Sequence, residues 1–241
     1  MAGYASFAGF YDAVQGDRAE HADYADSLVR RERPEARRIL ELACGTGSVI
    51  ARLRDRYEVC GVDGSPEMLA LAAVKLPDVR LVQGDMTRVR LGETFDAVLC
   101  LYDSINHLLR WEDWEAFLDT ACAHLDASGV LVFDVNTPRR LASLAAQPPA
   151  VRRFDGNVLL LDVVDVGDGI VNWELEVFEA HGDGNYRRHE ETIPELGVPT
   201  EQIREALTRR FRRVRVIDPQ RSRPTSRSGR VWFVARGSRG A

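Results

Sequence analysis

Short apolar runs ending in glycine or acid alternate, over the first half of the chain, with stretches whose apolar residues recur every three to four positions. Ile39-Leu-Glu-Leu42, Tyr57-Glu-Val-Cys-Gly-Val-Asp63, 79–84, Phe95-Asp-Ala-Val-Leu-Cys-Leu101 and 129–135 predict strands. Their near-continuous apolar character suits burial on both faces. Helices are predicted at 17–33, 47–55, 65–75 and 111–126. Pro34 ends the first, while Ser65 and Pro66 open the third as N-cap and first helical residue. Trp114, Phe117, Leu118, Ala121 and Leu125 form one apolar stripe on the fourth. Such alternation predicts right-handed crossovers and a doubly wound, mostly parallel α/β sheet, with ligands beyond the strands' carboxyl ends.

The period changes after Pro138. Residues 154–166, 169–181 and 184–195 alternate with period two and are separated by Gly167-Asp-Gly169 and Gly182-Asp-Gly184, which predicts an antiparallel insertion. A final helix follows, capped by Thr200 and carrying Ile203, Ala206 and Leu207. Strands at 214–217 and 231–235 complete a seven-stranded sheet with an antiparallel edge.

The chemistry concentrates at the first strand's end. In Ile39-Leu-Glu-Leu-Ala-Cys-Gly-Thr-Gly47 the two glycines permit a tight turn and close backbone approach to a ligand. The helix that follows offers free N–H groups to a carboxylate. Asp63, ending the second strand, is placed to accept both hydroxyls of a ribose. These residues point to an adenosine-containing cofactor. A dinucleotide motif would place a third glycine where Ile50 stands, so the glycines alone leave a nucleotide site and a plain tight turn equally open.

With Gly61-Val-Asp-Gly-Ser-Pro-Glu-Met, Gly84-Asp-Met86 and Phe95-Asp-Ala-Val in order, the chain resembles the class I S-adenosylmethionine-dependent methyltransferases over about residues 35–136. The resemblance implies a Rossmann-like fold, S-adenosylmethionine as cofactor and S-adenosylhomocysteine as product. It implies that Glu41, Ala43, Gly45 and Gly47 cradle the methionine end. Asp63 would hold the ribose, Gly64 and Met68 would lie beside the adenine, Asp85 and the Met86 N–H would meet the adenine edge, and Leu101 the sulfonium. Ala43 departs from the glycine many members carry, and is tolerable if its φ stays negative. The implied domain plan is an N-terminal helical lid (1–34), a cofactor-binding core (35–137 and 196–241) and an insertion (150–195) roofing the acceptor pocket. In the lid Tyr4, Phe7, Phe10 and Tyr11 cluster, and Tyr11 is a candidate to close over the cofactor or simply to pack.

Methyl transfer is an in-line displacement, so positioning dominates, with a base needed where the nucleophile must lose a proton. Tyr102-Asp-Ser-Ile-Asn-His107 follows strand four, where the methyl would point. His107 is the candidate base, with a packing role equally open, and Asp103 a candidate holder for a cationic amine. Tyr102, Asn106, Asn136 and His189 are candidate acceptor contacts. The Tyr-Asp-Ser-Ile-Asn-His stretch and the insertion are similar to small bacterial methyltransferases that act on metabolites, some on nucleotide-linked amino sugars. No Asn/Asp-Pro-Pro-aromatic motif follows strand four, which argues against a DNA amino-methyltransferase.

Composition narrows the picture further. At 241 residues, 45% hydrophobic and 29% charged, the chain suits a globular α/β domain. No apolar run approaches the roughly 20 residues of a membrane span, and the start lacks a basic leader, so a cytoplasmic location is expected. Cys44, Cys60, Cys100 and Cys122 show no metal spacing, so no metal is expected. From Ile203 onward twelve arginines face only Glu205 and Asp218, so a chain of net charge −5 ends in a strongly basic block. That block either meets nucleic acid or is a solvated face; without interleaved aromatics, nucleic acid is the less favoured partner. A small-molecule N- or O-methyltransferase is the reading adopted, with a homodimer an open option. Its rivals are an RNA or protein methyltransferase using the arginine block, a non-catalytic cofactor-binding protein, and a nicotinamide dehydrogenase.

Overall fold

The computed structural model describes residues 7–16 and 19–239; Tyr4 and the first two residues of the predicted 17–33 helix lie outside them. Two helices, α1 (Ala8–Gln15) and α2 (Ala19–Glu32), precede the alternating core. That core runs β1 (Arg38–Leu42), α3 (Ser48–Leu53), β2 (Glu58–Asp63), α4 (Pro66–Lys75), β3 (Arg80–Gln83), β4 (Phe95–Cys100), a 3-10 turn (Ser104–His107), α5 (Trp111–Ala123) and β5 (Leu125–Asn136). After α6 (Pro138–Ala145) come β6 (Ala150–Phe154), β7 (Asn157–Gly167), β8 (Ile170–Ala180) and β9 (Tyr186–Leu196). The chain closes with α7 (Thr200–Arg210), β10 (Phe211–Ile217) and β11 (Arg230–Ser238).

The main sheet has seven strands in the order β10-β11-β5-β4-β1-β2-β3. It is parallel from β5 to β3, and β11 is antiparallel to both its neighbours. Strand alternation explains the two cores. Ile39, Ala97, Leu99, Val130 and Val132 face Leu28, Val29, Val49 and Leu53 from α2 and α3. Leu40, Val98, Cys100, Leu131 and Phe133 face Trp114, Phe117, Leu118, Ile203 and Leu207 from α5 and α7. Covering both faces forces the continuous apolar runs seen in the sequence.

Several expected boundaries move. The helix expected to reach 126 stops at Ala123, because Leu125 pairs with Phe95 and begins β5. Thr200 is the first residue of α7 rather than its cap; Pro199 holds the cap position without a side-chain bond. The insertion has four strands in the order β6-β7-β8-β9, one more than expected, with Asp155-Gly156 (φ 48° and 81°) turning β6 into β7.

A buried amide helps tie this second sheet to the first. Asn106, wholly buried, donates through Nδ2 to the carbonyls of Asn136 (3.0 Å) and Leu196 (2.9 Å) and accepts at Oδ1 from Asn136 N–H (3.1 Å). One side chain thus joins β5, the loop after β4 and the end of β9. Phe7, just before α1, and Phe10 and Tyr11 within it pack against Leu159, Leu175 and Ile193 of the insertion. Its Asp12 reaches back to Thr46 (2.6 Å) and to Lys75.

Candidate active site

The corner after β1 is held by Asp63. Its Oδ2 accepts from Gly45 N–H (2.7 Å) and Oδ1 from Ser65 N–H (2.8 Å), which fixes the glycine turn and leaves carboxylate lone pairs for ribose hydroxyls. Burial pushes the Asp63 carboxyl up and these backbone donors oppose the rise. Gly45 and Gly47 both have positive φ (55° and 75°), and a Cβ on Gly47 would come within 2.5 Å of Leu76. Ala43 also has positive φ, at 58°. The expectation that it keeps a negative φ is therefore wrong: the turn demands a left-handed residue there whatever its side chain, and the methyl is carried under strain.

Tyr11, Glu41, Ala43, Gly45, Leu101 and Tyr102 line a narrow void of about 20 Å³ at this corner. Gly64 follows Asp63 at the end of β2, and Met68 is buried in the first turn of α4. Gly84 N–H donates to the Asp63 carbonyl (2.9 Å), which brings the end of β3 alongside. Asp85 accepts from the Thr87 N–H and hydroxyl (2.9 and 2.7 Å). Burial would raise its carboxyl, but these donors win and hold it low. Met86 is 1% exposed. The donor and acceptor set fits an adenosyl cofactor: a ribose carboxylate on β2, an acid on the loop after β3 and bare backbone after β1. Among the described residues no cluster of His, Cys, Asp or Glu could hold a metal ion.

A second, larger cavity of about 270 Å³ lies between the strand ends and the insertion. Tyr11 and Tyr102 line it as well as the corner void, so the two spaces share a wall. Leu159, Leu161, Trp173, Leu175 and Ile193 form its apolar roof. Asp103, His107, Asn136, Glu195, Arg140, Arg152 and Arg230 supply its polar groups. His107 Nδ1 lies 3.1 Å from the Pro194 carbonyl. A carbonyl only accepts, so Nδ1 carries the proton and Nε2 the lone pair.

Arg230 binds both Asp103 and Asp134. Asp134, wholly buried on β5, also accepts from the backbone N–H of Tyr102 (2.8 Å) and Asp103 (3.3 Å) and lies 3.1 Å from His21 Nε2. These bonds hold two successive residues, Tyr102 and Asp103, at positive φ (59° and 53°). His21 stacks on Tyr102 with centroids 4.2 Å apart. Glu195 is 3% exposed; Asn136 Nδ2 donates to its Oε2 at 3.0 Å. Burial, with the Asp103 carboxylate beside it, pushes Glu195 well above the usual carboxyl range. Burial acts on Asp103 in the same direction, but Arg230 prevails and holds it low. The two carboxyl groups are therefore driven apart, Glu195 toward its neutral form and Asp103 toward its charged one.

The predicted acceptor residues divide. Tyr102, Asp103, His107 and Asn136 come together on the cavity wall. Asn106 does not: its amide is consumed by the clamp between sheets. Nor does Asp103 present a bare carboxylate to an amine, because Arg230 takes it. His189 shares a face of β9 with Glu195 but lies six residues away, about 20 Å along a strand, where it pairs with Glu179 (2.9 Å). Glu195, Arg230, Asp134, His21, Arg140 and Arg152 are absent from the sequence reading. The acid in the apolar run Val132-Phe-Asp-Val135 was the readable signal for Asp134.

Fold and site together define a class I S-adenosylmethionine-dependent methyltransferase, and the chain belongs to that family. A model described as a methyltransferase domain matches residues 39–129. YqeM of Bacillus subtilis, provisionally named a methyltransferase, is 30% identical over 246 residues, covering 98% of each chain. The dTDP-3-amino-3,6-dideoxy-α-D-glucopyranose N,N-dimethyltransferase of Streptomyces fradiae is 39% identical over 129 residues, 52% of this chain and 51% of that one. The chain spans about half the length of the amino-sugar relatives it matches (51% and 49%). Among solved structures, CalS10, an amino pentose methyltransferase from Micromonospora echinaspora with S-adenosylmethionine bound, aligns at TM-score 0.75 and 29% identity over 92% of each chain.

Proposed function

We propose that this protein transfers a methyl group from S-adenosylmethionine to a nitrogen, or failing that an oxygen, of a small-molecule acceptor such as an amino sugar. The carrying observation is the shared wall: Tyr11 and Tyr102 separate the glycine corner from the larger cavity, whose lining includes His107 with its lone pair on Nε2. Bound S-adenosylmethionine would supply an electrophilic methyl on sulfur. Asp63 and the backbone of 43–47 hold that cofactor, with Gly64, Met68, Asp85 and Met86 toward its adenine and Leu101 toward its sulfur. The Leu159–Ile193 roof excludes water, and His107 takes the proton the nucleophile loses. Nitrogen is preferred because the Streptomyces fradiae relative is an N,N-dimethyltransferase. Four free cysteines suit a reducing cytoplasm. Among the described residues no helix is long and apolar enough to cross a membrane. Assembly, with a homodimer an open option, is to be read by light scattering.

The test is calorimetric titration with S-adenosylmethionine, S-adenosylhomocysteine and NAD, followed by an S-adenosylhomocysteine release assay on a dTDP-linked amino sugar. Binding of the first two with turnover supports the proposal. Binding of NAD alone defeats it, and binding without turnover on any metabolite pool leaves a non-catalytic cofactor-binding protein.

A further inference from the structure

Helix α1 is held on two sides by contacts of opposite kinds. Toward the insertion it offers Phe10, Tyr11 and Val14, which pack with Leu159, Leu175 and Ile193. Toward the core it offers the carboxylate of Asp12. Its Oδ1 accepts from the Thr46 hydroxyl at 2.6 Å, and its Oδ2 pairs with Lys75, the last residue of α4. Thr46 is 1% exposed and stands between Gly45 and Gly47 in the turn after β1.

The two sides differ in how readily they part. Separating the apolar side exposes hydrocarbon to water, which is costly. The side chains of Asp12 and Lys75 are already 44% and 34% exposed, and an ion pair in that setting exchanges for water at little cost. The bond to Thr46 is charge-assisted and stronger, yet it is a single bond. Separation of α1 therefore falls on the core side, with the helix remaining on the insertion.

Beneath that breakable side lies the glycine corner. Tyr11, next to Asp12, lines the corner void as well as the larger cavity. Its Cε1 stands 4.0 Å from where a Cβ on Gly45 would be. Resting on the cofactor seat proposed above, we propose that Asp12 is a positioning residue for the methyl donor: through Thr46 and Lys75 it fastens α1 and Tyr11 over the bound cofactor and sets how fast the cofactor leaves. Linkage makes the effect mutual. A helix that retains the cofactor when closed is itself held closed by the cofactor.

Lys75 is the only lysine of the 241 residues, so acylation of a lysine amine reads this contact alone. The experiment measures S-adenosylhomocysteine dissociation by stopped flow for the full-length parent, Asp12→Ala, Lys75→Met and Lys75→Arg. Asp23→Ala serves as control, since Asp23 joins α2 to Arg52 of α3 in a comparable exposed pair. Release should quicken about tenfold or more in Asp12→Ala, the worth of a charge-assisted bond. It should quicken about two- to threefold in Lys75→Met, as for an exposed ion pair, and stay at the parent rate in Lys75→Arg and the control. Raising salt should bring the parent toward Lys75→Met. In parallel, acetylation of Lys75 by an N-hydroxysuccinimide ester, read by peptide mass spectrometry, should be slowed by S-adenosylhomocysteine in the parent and not in Asp12→Ala.

Parent-like release from Asp12→Ala overturns the inference, and so does parent acetylation indifferent to S-adenosylhomocysteine. Should Asp12→Ala fold poorly, Lys75→Met against Lys75→Arg decides the matter, equal release from the two being the contrary result. A parent that binds no S-adenosylhomocysteine defeats the cofactor reading itself, whereas binding with release unchanged across the variants defeats only the role of Asp12.

Discussion

The ring of His107 is oriented by the carbonyl oxygen of Pro194, 3.1 Å from Nδ1. A residue of the core loop thus takes its tautomer from the insertion. Replacing His107 by Ala should lower kcat by about a hundredfold or more while leaving S-adenosylhomocysteine affinity nearly unchanged. Steady-state kinetics beside calorimetry decide this; an unaltered kcat would return His107 to a packing role.

Asp63 anchors both the glycine turn and the proposed ribose contact. Asp63→Ala should cost on the order of 2–4 kcal/mol of cofactor binding, the value of a charge-assisted bidentate hydrogen bond. Calorimetry on the folded variant reads it directly, and parent-like affinity would sink the cofactor assignment.

Glu195 titrates above the ordinary carboxyl range because burial and Asp103 favour its neutral form. A folded-state pKa raised above the unfolded one contributes stability that is fully present below about pH 4.3, the unfolded value. That contribution fades as pH climbs through the raised value. Glu195→Gln should match the parent in acid and lose less stability toward neutral pH. Urea melts across that range check this, parallel curves being the contrary result.

Tyr57 donates its hydroxyl to buried Asp26 at 2.5 Å. Burial first, then this carboxylate, pushes the phenol up to about 12 from its usual 10. Its contribution is whole below pH 10 and disappears between 10 and 12. Ultraviolet titration should show one phenolate appearing near the upper figure, and Tyr57→Phe should abolish that step.

Ala43 sits at φ 58°. Ala43→Gly should therefore stabilise the protein by up to about 1 kcal/mol, the relief of left-handed strain exceeding the added freedom of the unfolded chain. A thermal melt that shows destabilisation would mean the methyl's packing outweighs its strain.

The corner from Leu42 to Gly47 and the alternation of strands and helices were legible because each rests on local chemistry: apolar runs, glycines and a terminal acid. The cavity was less so. Glu195 occupies an ordinary position in an alternating strand, and only the fold shows that its neighbour across space is Asp103. Helix α6 carried a readable start, Thr137 with Pro138 behind it, whose hydroxyl indeed accepts from Arg140 N–H at 3.2 Å. Its Arg-Arg opening masked the apolar pattern. Asn106 read as a ligand contact because a polar residue after a strand usually is one; its burial depends on two partners, 30 and 90 residues away.

The division of labour between the two sheets has a consequence for divergence. Seen from the cavity, the roof is a set of alternate side chains on β7, β8 and β9, held in register by backbone pairing that is indifferent to their identity. Those positions can be exchanged to recut the space for another acceptor while the donor's seat, built from turn geometry and one carboxylate, stays as it is. Descendants of such a chain can change what they modify without relearning how.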